Sequence, residues 1–309
     1  MTDAARQILQ QVLGGHASGG RYAIVDYPGY ANPGDAAIWC GARVLLEALA
    51  GRAPSYVSTL RHFDAARCSD AVAGGTVFFL GGGSFGSLYG KHHRMRLRAL
   101  EQLRDERIVL LPLSVADAAP PGGDPGLEAE TADVLRRCAR LTVLAREGRS
   151  QALLRDVYGI ESALCPDTAH GLTPPVVIPE TETVVLRRRD GEALGNGQPA
   201  RASRDLAFDW RDDAALRWIN RAGKLAPLVP SHRLRLAMFD GIARRKVAVA
   251  CGLVGRGRIV ETDRLHGVIL AALMGRTVIV SDNATGKVGS YVETWPGLLP
   301  RVSLNPGDV

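Results

Sequence analysis

Basic residues follow apolar runs at two places in the second half of this 309-residue sequence. The run 184–186 leads into Arg187-Arg188-Arg189, and Glu261-Thr262 leads into Asp263-Arg264-Leu265-His266. Guanidinium groups bind carboxylates and phosphates through paired hydrogen bonds, and histidine transfers protons near neutral pH. Arg188 therefore suits an anion clamp, with solvated charge at a strand end as the alternative. Arg264 and His266 suit anion binding and proton transfer, with a helix capped by Asp263 as the alternative.

Glycine-rich turns with polar side chains follow two apolar runs in the first half. Tyr22–Asp26 precedes a turn that ends in Asn32-Pro-Gly34-Asp35, where Asp35 is placed to cap the next helix, and a plain structural turn fits the same residues. Thr76–Leu80 precedes Gly81-Gly82-Gly83-Ser84. We expect Ser84 to open a helix whose backbone amides could hold an anion, although the spacing is not that of a dinucleotide fingerprint or a P-loop.

Regular secondary structure must hold these four junctions in place. The sequence predicts it, because apolar runs alternate with segments of helical periodicity. The predicted strands are Tyr22–Asp26, Ser55–Ser58, Thr76–Leu80, Ile108–Leu111, Leu141–Leu144, Ser162–Cys165, Thr183–Arg188, Arg258–Glu261 and Thr277–Val280. Helices are predicted between them, including one with the stripe Ile38, Ala42 and Leu45, and others over 211–222, 232–250 and 264–274. This order is typical of α/β proteins with parallel, doubly wound sheets, which bind ligands beyond the carboxyl ends of their strands.

A proline-rich segment near the midpoint divides the chain. Residues 171–180 contain three prolines and interrupt the alternation. We therefore predict an N-terminal Rossmann-like domain over 1–172, a linker over 173–180 and a C-terminal Rossmann-like domain over 181–309, which face each other across a cleft. The polar segment 191–204 is predicted to be a loop.

Composition excludes several classes of protein. The formal charge is +6, but the basic residues, only four of which are lysines, are scattered, so nucleic acid is not an expected partner. Five cysteines without metal-ligand or redox spacing indicate buried thiols in a reducing cytoplasm. The longest uncharged stretch, 71–90, holds seven glycines, and no secretory signal is visible, so we expect a cytoplasmic protein whose membrane association is at most peripheral at the inner face. No metal or cofactor is expected.

Taken together, these segments resemble the polysaccharide pyruvyl transferase family, and the resemblance extends over nearly the whole chain. It is carried by Asp26-Tyr-Pro, Asn32-x-Gly34-Asp35, Ile38-Trp39, Gly81-Gly82-Gly83-Ser-Phe-Gly, Leu88-Tyr89, His92-His93, Arg146-Glu147, Ser150, Pro166-Asp167, Ala169-His170, Arg188-x-Asp190-x-Glu192, Asp209-Trp210, Arg264-Leu-His266-Gly267, Asp282-Asn283, Gly286-Lys287 and Trp295. One departure is Leu113, where relatives commonly carry glutamine.

The resemblance implies two Rossmann-like domains arranged as in B-type glycosyltransferases. It implies phosphoenolpyruvate as donor, a pair of sugar hydroxyls as acceptor, and a pyruvate ketal on a polysaccharide or its lipid-linked repeat unit as product. Arg188, Arg264 and His266 match the family's donor-binding and catalytic residues, and Asn283 and Lys287 complete the expected donor site. Asp35, expected to orient or deprotonate the acceptor, belongs to an acceptor site made of Asn32, Gly34, Asp35, Gly82, Gly83, Ser84, Tyr89, His92, His93 and His170.

Two other functions fit the same predicted fold. A B-type glycosyltransferase would use a nucleotide sugar, and fold alone does not exclude it. A scaffold for polysaccharide assembly would use no donor, although Arg188, Arg264, His266 and Asp35 together favour an enzyme.

Overall fold

The computed structural model describes residues 2–117, 124–190 and 207–305. The described chain is a mixed α/β protein with two sheets in which every strand pairing is parallel, which confirms the predicted α/β class with parallel sheets. The loop predicted over 191–204, with Glu192 in it, lies outside the described residues. The five cysteines are all buried, free thiols.

The first sheet is formed by residues that precede the proline-rich segment. Its strands are β1 (Tyr22–Val25), β2 (Tyr56–Ser58), β3 (Thr76–Phe79), β4 (Gly82–Phe85), β5 (Arg107–Val115), β6 (Arg140–Ala145) and β7 (Ala163–Leu164). Their order is β2-β1-β3-β5-β6-β7, and β4 pairs with the end of β5. The helices of this half are α1 (Thr2–Ala17), α2 (Pro33–Ala50), α3 (Ala65–Val72), α4 (Gly90–Gln102), α5 (Pro125–Arg137) and α6 (Gly148–Asp156).

The second sheet follows the proline-rich segment. Its strands are β8 (Thr181–Leu186), β9 (Ala207–Phe208), β10 (Gly257–Thr262), β11 (Thr277–Val280) and β12 (Val302–Leu304), in the order β12-β11-β10-β8-β9. The helices are α7 (Ala214–Ala222), α8 (His232–Gly255), α9 (Leu265–Leu273) and α10 (Lys287–Thr294). The short strands β4, β9 and β12 are not predicted from the sequence.

Each sheet has a point where its strand order reverses. The first chain half places β2 on one side of β1 and β3 on the other, and the second half places β9 and β10 on opposite sides of β8. Loops at such a reversal diverge, which leaves a crevice beyond the carboxyl ends of the strands. All four polar junctions of the sequence follow strands that border these two crevices.

Helix α8 joins the two halves by packing against α2. The ring of Tyr27 stacks on Phe239 of α8 with centroids 3.8 Å apart. Trp39 of α2 donates its indole N–H to Asp240 Oδ1 at 2.9 Å, and Arg43 of α2 approaches the same carboxylate at 3.3 Å. Because buried aromatic packing and a buried ion pair both cross this junction, the halves share one apolar core.

The structure corrects the local prediction for Ser84. This residue lies inside strand β4, and α4 begins only at Gly90. The glycines on either side, Gly82 and Gly86, have φ angles of 104° and 114°, where other residues are strained. They turn the chain so that Phe85 is buried and pairs with Val115. The chain therefore extends the sheet where we had predicted a helix N-terminus.

Two predicted helix caps are also wrong. Asn32 caps α2, since its Oδ1 accepts a hydrogen bond from Gly34 N at 3.0 Å, and Asp35 lies in the first turn, where its Oδ2 accepts from Asn32 Nδ2 at 2.8 Å. Asp263 does not cap α9, because its carboxylate accepts from the backbone N–H of Arg188 at 2.9 Å. Asp35 therefore stabilises the turn that starts α2, whereas Asp263 joins the loop after β10 to the loop after β8.

Candidate active site

A cavity of about 690 Å³ is lined by residues from both halves of the chain. Ten of the predicted site residues belong to its wall: Asn32, Asp35, Gly83, Ser84, Tyr89, His92, Arg188, Arg264, His266 and Lys287. The structure thus brings together residues that are up to 255 positions apart in the sequence. Helix α2, the loop after β1, strand β4 and the segment that follows it form one side, and the loops after β8, β9 and β10 form the other.

Two predicted arginines lie side by side where the second sheet reverses. Arg188 binds Asp190 through two hydrogen bonds of 2.8 and 3.1 Å. Arg264 binds Asp209 at 2.6 Å and reaches Asp190 at 3.4 Å. Asp190 thus lies between the two guanidinium groups and fixes their separation. Planar guanidinium groups held in this way are pre-organised for a second anion.

Two buried N–H groups of cavity-wall residues make no hydrogen bond within the described chain. They are Arg264 Nε and Trp210 Nε1. Arg264 also lies over the Trp210 ring, with Cζ 5.9 Å from its centroid. Buried polar groups in native proteins nearly always have partners, so these nitrogens indicate a place where a ligand supplies the acceptors.

His266 is held between the two halves. It lies in the first turn of α9, and its Nε2 is 3.4 Å from Asp167 Oδ2, within ion-pair distance. Asp167 is itself bound by Arg146 at 2.8 Å. Burial alone would raise the pKa of Asp167, but His266 and Arg146 outweigh it and hold that pKa well below its ordinary value. A permanent carboxylate therefore faces His266.

Gly34 explains how the histidine fits against α2. A Cβ atom at this position would lie 2.3 Å from His266 Nδ1, closer than any real contact. Gly83 has the same role for two cations, because a Cβ there would lie 2.9 Å from Lys287 Nζ and 3.2 Å from Arg146 Nη2. Glycine at both positions lets basic side chains approach the backbone of the N-terminal half.

A second polar network lies at the end of β1. Asp26 has a φ angle of 75°, which is rare for a residue with a side chain. Its buried carboxylate binds Arg96 at 2.7 Å and His92 Nε2 at 3.1 Å. Burial raises the pKa of Asp26, but these two partners lower it further than burial raises it. Arg96 also donates to Ser84 Oγ at 2.9 Å, so Asp26 fixes two predicted acceptor residues, His92 and Ser84.

Lys246 of α8 binds the loop that carries Tyr30 of the cavity wall. Its Nζ donates to the backbone oxygen of Tyr30 at 2.6 Å and to Asn220 Oδ1 at 3.1 Å. Burial lowers the pKa of Lys246 to about 8, although nearby Asp35 opposes this shift. The lysine thus ties the loop that carries Tyr30 to the second half of the chain.

Five predicted residues are not part of the cavity wall. Gly34 and Gly82 lie directly behind it, against His266 and Asp35. His93 faces away, hydrogen-bonded to Thr131 at 2.9 Å, and burial lowers its pKa to about 3. His170 is buried 3.0 Å from the Tyr291 hydroxyl, and burial lowers its pKa to about 4. Asn283 folds its own turn, where Oδ1 accepts from Thr285 N at 3.1 Å.

The cavity wall carries more positive than negative charge. Five cations, Arg146, Arg188, Arg211, Arg264 and Lys287, face two carboxylates, Asp35 and Asp190. Arg146, Asp190, Trp210 and Arg211 are not among the site residues predicted from the sequence. Arg146 directly follows β6, a predicted strand, so inspection of every predicted strand end finds it. Trp210 and Arg211 follow β9, which the sequence does not predict. The wall suits a small ligand with more than one negative charge.

A known protein family matches the chain over most of its length. The family model described as Polysaccharide pyruvyl transferase matches residues 32–285. The chain belongs to this family. That match covers all cavity-wall residues of both halves except Tyr30, Ala31 and Lys287, and it confirms the resemblance found in the sequence.

Two proteins named as pyruvyl transferases are similar to the chain over most of its length. The chain is 28% identical to "Putative pyruvyl transferase EpsO" of Bacillus subtilis over 90% of its own length and 86% of that protein. It is 27% identical to "Pyruvyl transferase 1" of Schizosaccharomyces pombe over 89% of its own length and 69% of that protein. Family and relatives together indicate a transferase that acts as a polysaccharide pyruvyl transferase.

A solved structure shares the fold. The crystal structure of an uncharacterized protein from Klebsiella pneumoniae superimposes with a TM-score of 0.63 over 97% of this chain and 98% of that chain, at 15% identity. At this identity the likeness concerns the fold alone. Among the described residues, no helix combines the length and the apolar character that crossing a membrane requires.

Proposed function

We propose that the protein transfers the pyruvyl group of phosphoenolpyruvate to two hydroxyls of a saccharide and forms a pyruvate ketal. The observation that carries the proposal is the pair of buried N–H groups, Arg264 Nε and Trp210 Nε1, that have no hydrogen-bond partner in the described chain and belong to a wall whose charge is positive. Phosphoenolpyruvate brings a carboxylate and a phosphate, which are the acceptors that such a wall lacks. Arg188 and Lys287 add charge beside them.

The chemistry assigns His266 the central proton transfers. A proton delivered to C3 of the donor converts its methylene to a methyl group and gives C2 oxocarbenium character. One sugar hydroxyl then bonds to C2 and loses its proton, and phosphate leaves with the electrons of the C2–O bond. The second hydroxyl bonds to C2 and loses its proton, which closes the ketal. Two hydroxyl protons are released in all, of which one balances the proton gained at C3 and the other leaves with phosphate.

The acceptor is assigned to the N-terminal wall. Asp35 lies in the first turn of α2, and the exposed rings of Tyr30 and Tyr89 belong to the same side of the cavity. Aromatic faces suit the apolar faces of sugar rings, and a carboxylate can orient or deprotonate a hydroxyl. His92, held by Asp26, adds a second polar contact.

On this proposal the chain works as two domains, 1–172 and 181–309, with 173–180 as the linker, arranged as in B-type glycosyltransferases. The donor is bound at the β8/β10 reversal and the acceptor at the β1/β3 reversal. This division is supported by the two sheets and by a cavity wall drawn from both.

Incubation with phosphoenolpyruvate and a panel of synthetic or lipid-linked saccharides tests the proposal. We expect phosphate release that depends on one saccharide, together with a mass gain on that saccharide equal to pyruvic acid minus water. Transfer of a sugar from a nucleotide sugar, with no phosphate released from phosphoenolpyruvate, would instead make the protein a glycosyltransferase.

A further inference from the structure

Exposed apolar side chains are concentrated in one helical hairpin of the second half. Trp218 of α7, Leu225 and Leu228 of the turn 223–228, and Leu234 of α8 are each 60–70% exposed, and Met238 of α8 is 37% exposed. We call these five residues the hairpin patch. Five large apolar side chains are seldom exposed within 21 consecutive residues at a protein surface. Their concentration here indicates an interaction site.

Packing places the parts of the hairpin patch beside one another. Leu234, Met238 and Ile242 are spaced by four residues and lie on one face of α8. Ile242 packs against Gly223, where a Cβ atom would lie 2.9 Å from Ile242 Cδ1. The turn with Leu225 and Leu228 begins at Gly223, so it lies along the same face of α8.

The charged side chains of residues 214–239, which include the hairpin patch, have a single sign. No aspartate or glutamate occurs between residues 214 and 239. Four exposed cations lie in that span: Arg217, Arg221, Lys224 and Arg233. Apolar side chains next to cations, with a tryptophan among them, are what a helix at the surface of an anionic bilayer presents. A protein partner with an apolar core would not require this excess of positive charge.

We infer that the hairpin patch binds the surface of an anionic phospholipid bilayer. The hairpin begins three residues after Trp210 and Arg211 of the cavity wall, so the bilayer would lie beside the cavity mouth. If the function proposed above holds, this position serves an acceptor saccharide carried on a lipid. Binding to the bilayer does not itself depend on that reaction, and its test needs no turnover.

Co-sedimentation with vesicles tests the inference. We expect the full chain to sediment with vesicles of phosphatidylcholine and phosphatidylglycerol at low salt, but not with phosphatidylcholine alone, and to dissociate at high salt. Trp218→Ser combined with Leu225→Ser should weaken binding roughly tenfold or more. Replacement of Arg221 or Lys224 by Gln should weaken it roughly fivefold each.

Val176→Ser combined with Ile178→Ser is the matched control, since both residues are exposed apolar side chains outside the hairpin. The control should bind as the wild type does. No sedimentation of the wild type with the anionic vesicles, or equal binding by the Trp218/Leu225 variant, overturns the inference. A dimer that only this variant disrupts, without vesicle binding, also overturns it and shows that a second copy covers the patch.

Phosphate release from phosphoenolpyruvate with a water-soluble saccharide separates the two proposals. Both double variants should keep wild-type turnover in this assay. If the wild type binds vesicles but shows no turnover with any saccharide, the proposed function fails and the inference on the bilayer stands.

Discussion

At the scale of single residues, His266 is the group on which the proposed chemistry depends most. Its Nε2 lies in the cavity wall beside a carboxylate that stays charged, and Gly34 leaves just enough space for its ring. His93 and His170 differ in that neither belongs to the cavity wall, and the Nε2 atom of each is hydrogen-bonded to a buried hydroxyl of the protein. Only the structure separates the three, because a sequence does not show which way a side chain faces.

Replacement of His266 by Gln should lower turnover by roughly 10²–10⁴-fold, as expected for loss of a general acid or base. Steady-state phosphate release measures it. His62→Gln is the control, because His62 is exposed and distant from the cavity wall. Near-normal turnover of the His266 variant would show that another group delivers the proton.

The two arginines at the β8/β10 reversal are expected to act through the donor. Arg188→Lys keeps the charge but loses the planar guanidinium group that Asp190 holds in place. The KM for phosphoenolpyruvate should therefore rise roughly tenfold or more. Arg189→Lys is the matched control, since that exposed arginine pairs with Asp212 outside the cavity. An equal KM for both variants would contradict the clamp.

At the scale of elements, the approach of α2 to α9 sets the position of His266. Gly34→Ala should displace the histidine ring, because the added Cβ would overlap it, and turnover should fall by roughly tenfold or more. Gly15→Ala in α1 meets no atom within 4 Å and should leave turnover unchanged while stabilising the fold by about 0.5–1 kcal/mol. Turnover and thermal unfolding measure both effects, and an unaffected Gly34 variant would show that the ring has room to move.

Helix α8 carries the pH dependence that Lys246 introduces. Burial lowers the pKa of this lysine from 10.5 to about 8, so between pH 8 and 10.5 the unfolded chain binds more protons than the folded one. The free energy of unfolding of the wild type should therefore rise with pH across this window relative to Lys246→Met. Urea titrations at several pH values test this, with Lys91→Met, at an exposed lysine, as a control that retains Lys246 and should follow the pH trend of the wild type.

Long, apolar elements were predictable from sequence, and short ones set by tertiary contacts were not. Apolar runs such as Thr76–Phe79 and Thr277–Val280 identify their strands within a residue or two. Strand β4 was missed because glycine and serine lack strand propensity, and its pairing depends on β5. Asp263 was misjudged as a cap because its carboxylate binds the backbone N–H of Arg188, a contact far along the chain. At α2 the sequence offers Asn32 and Asp35 three residues apart, and Asn32 occupies the cap position.

At the scale of the whole molecule, the points at which the strand order of the two sheets reverses both border one cavity. Trp39, Arg43 and Asp240 fix the halves against each other through α2 and α8. Seven of the ten predicted residues in the cavity wall come from the four strand-end junctions, and Tyr89, His92 and Lys287 come from the family resemblance. The proposed division into a donor side and an acceptor side follows from this arrangement, because the wall cations of the second half exceed those of the first.

Titration calorimetry of the purified protein with phosphoenolpyruvate, in the presence of a chelator, tests the central claim most directly. We expect saturable binding without divalent metal, because Arg188, Arg264 and Lys287 supply the positive charge, and an accompanying rise in Tm. Binding of a nucleotide sugar with no heat from phosphoenolpyruvate would contradict the account.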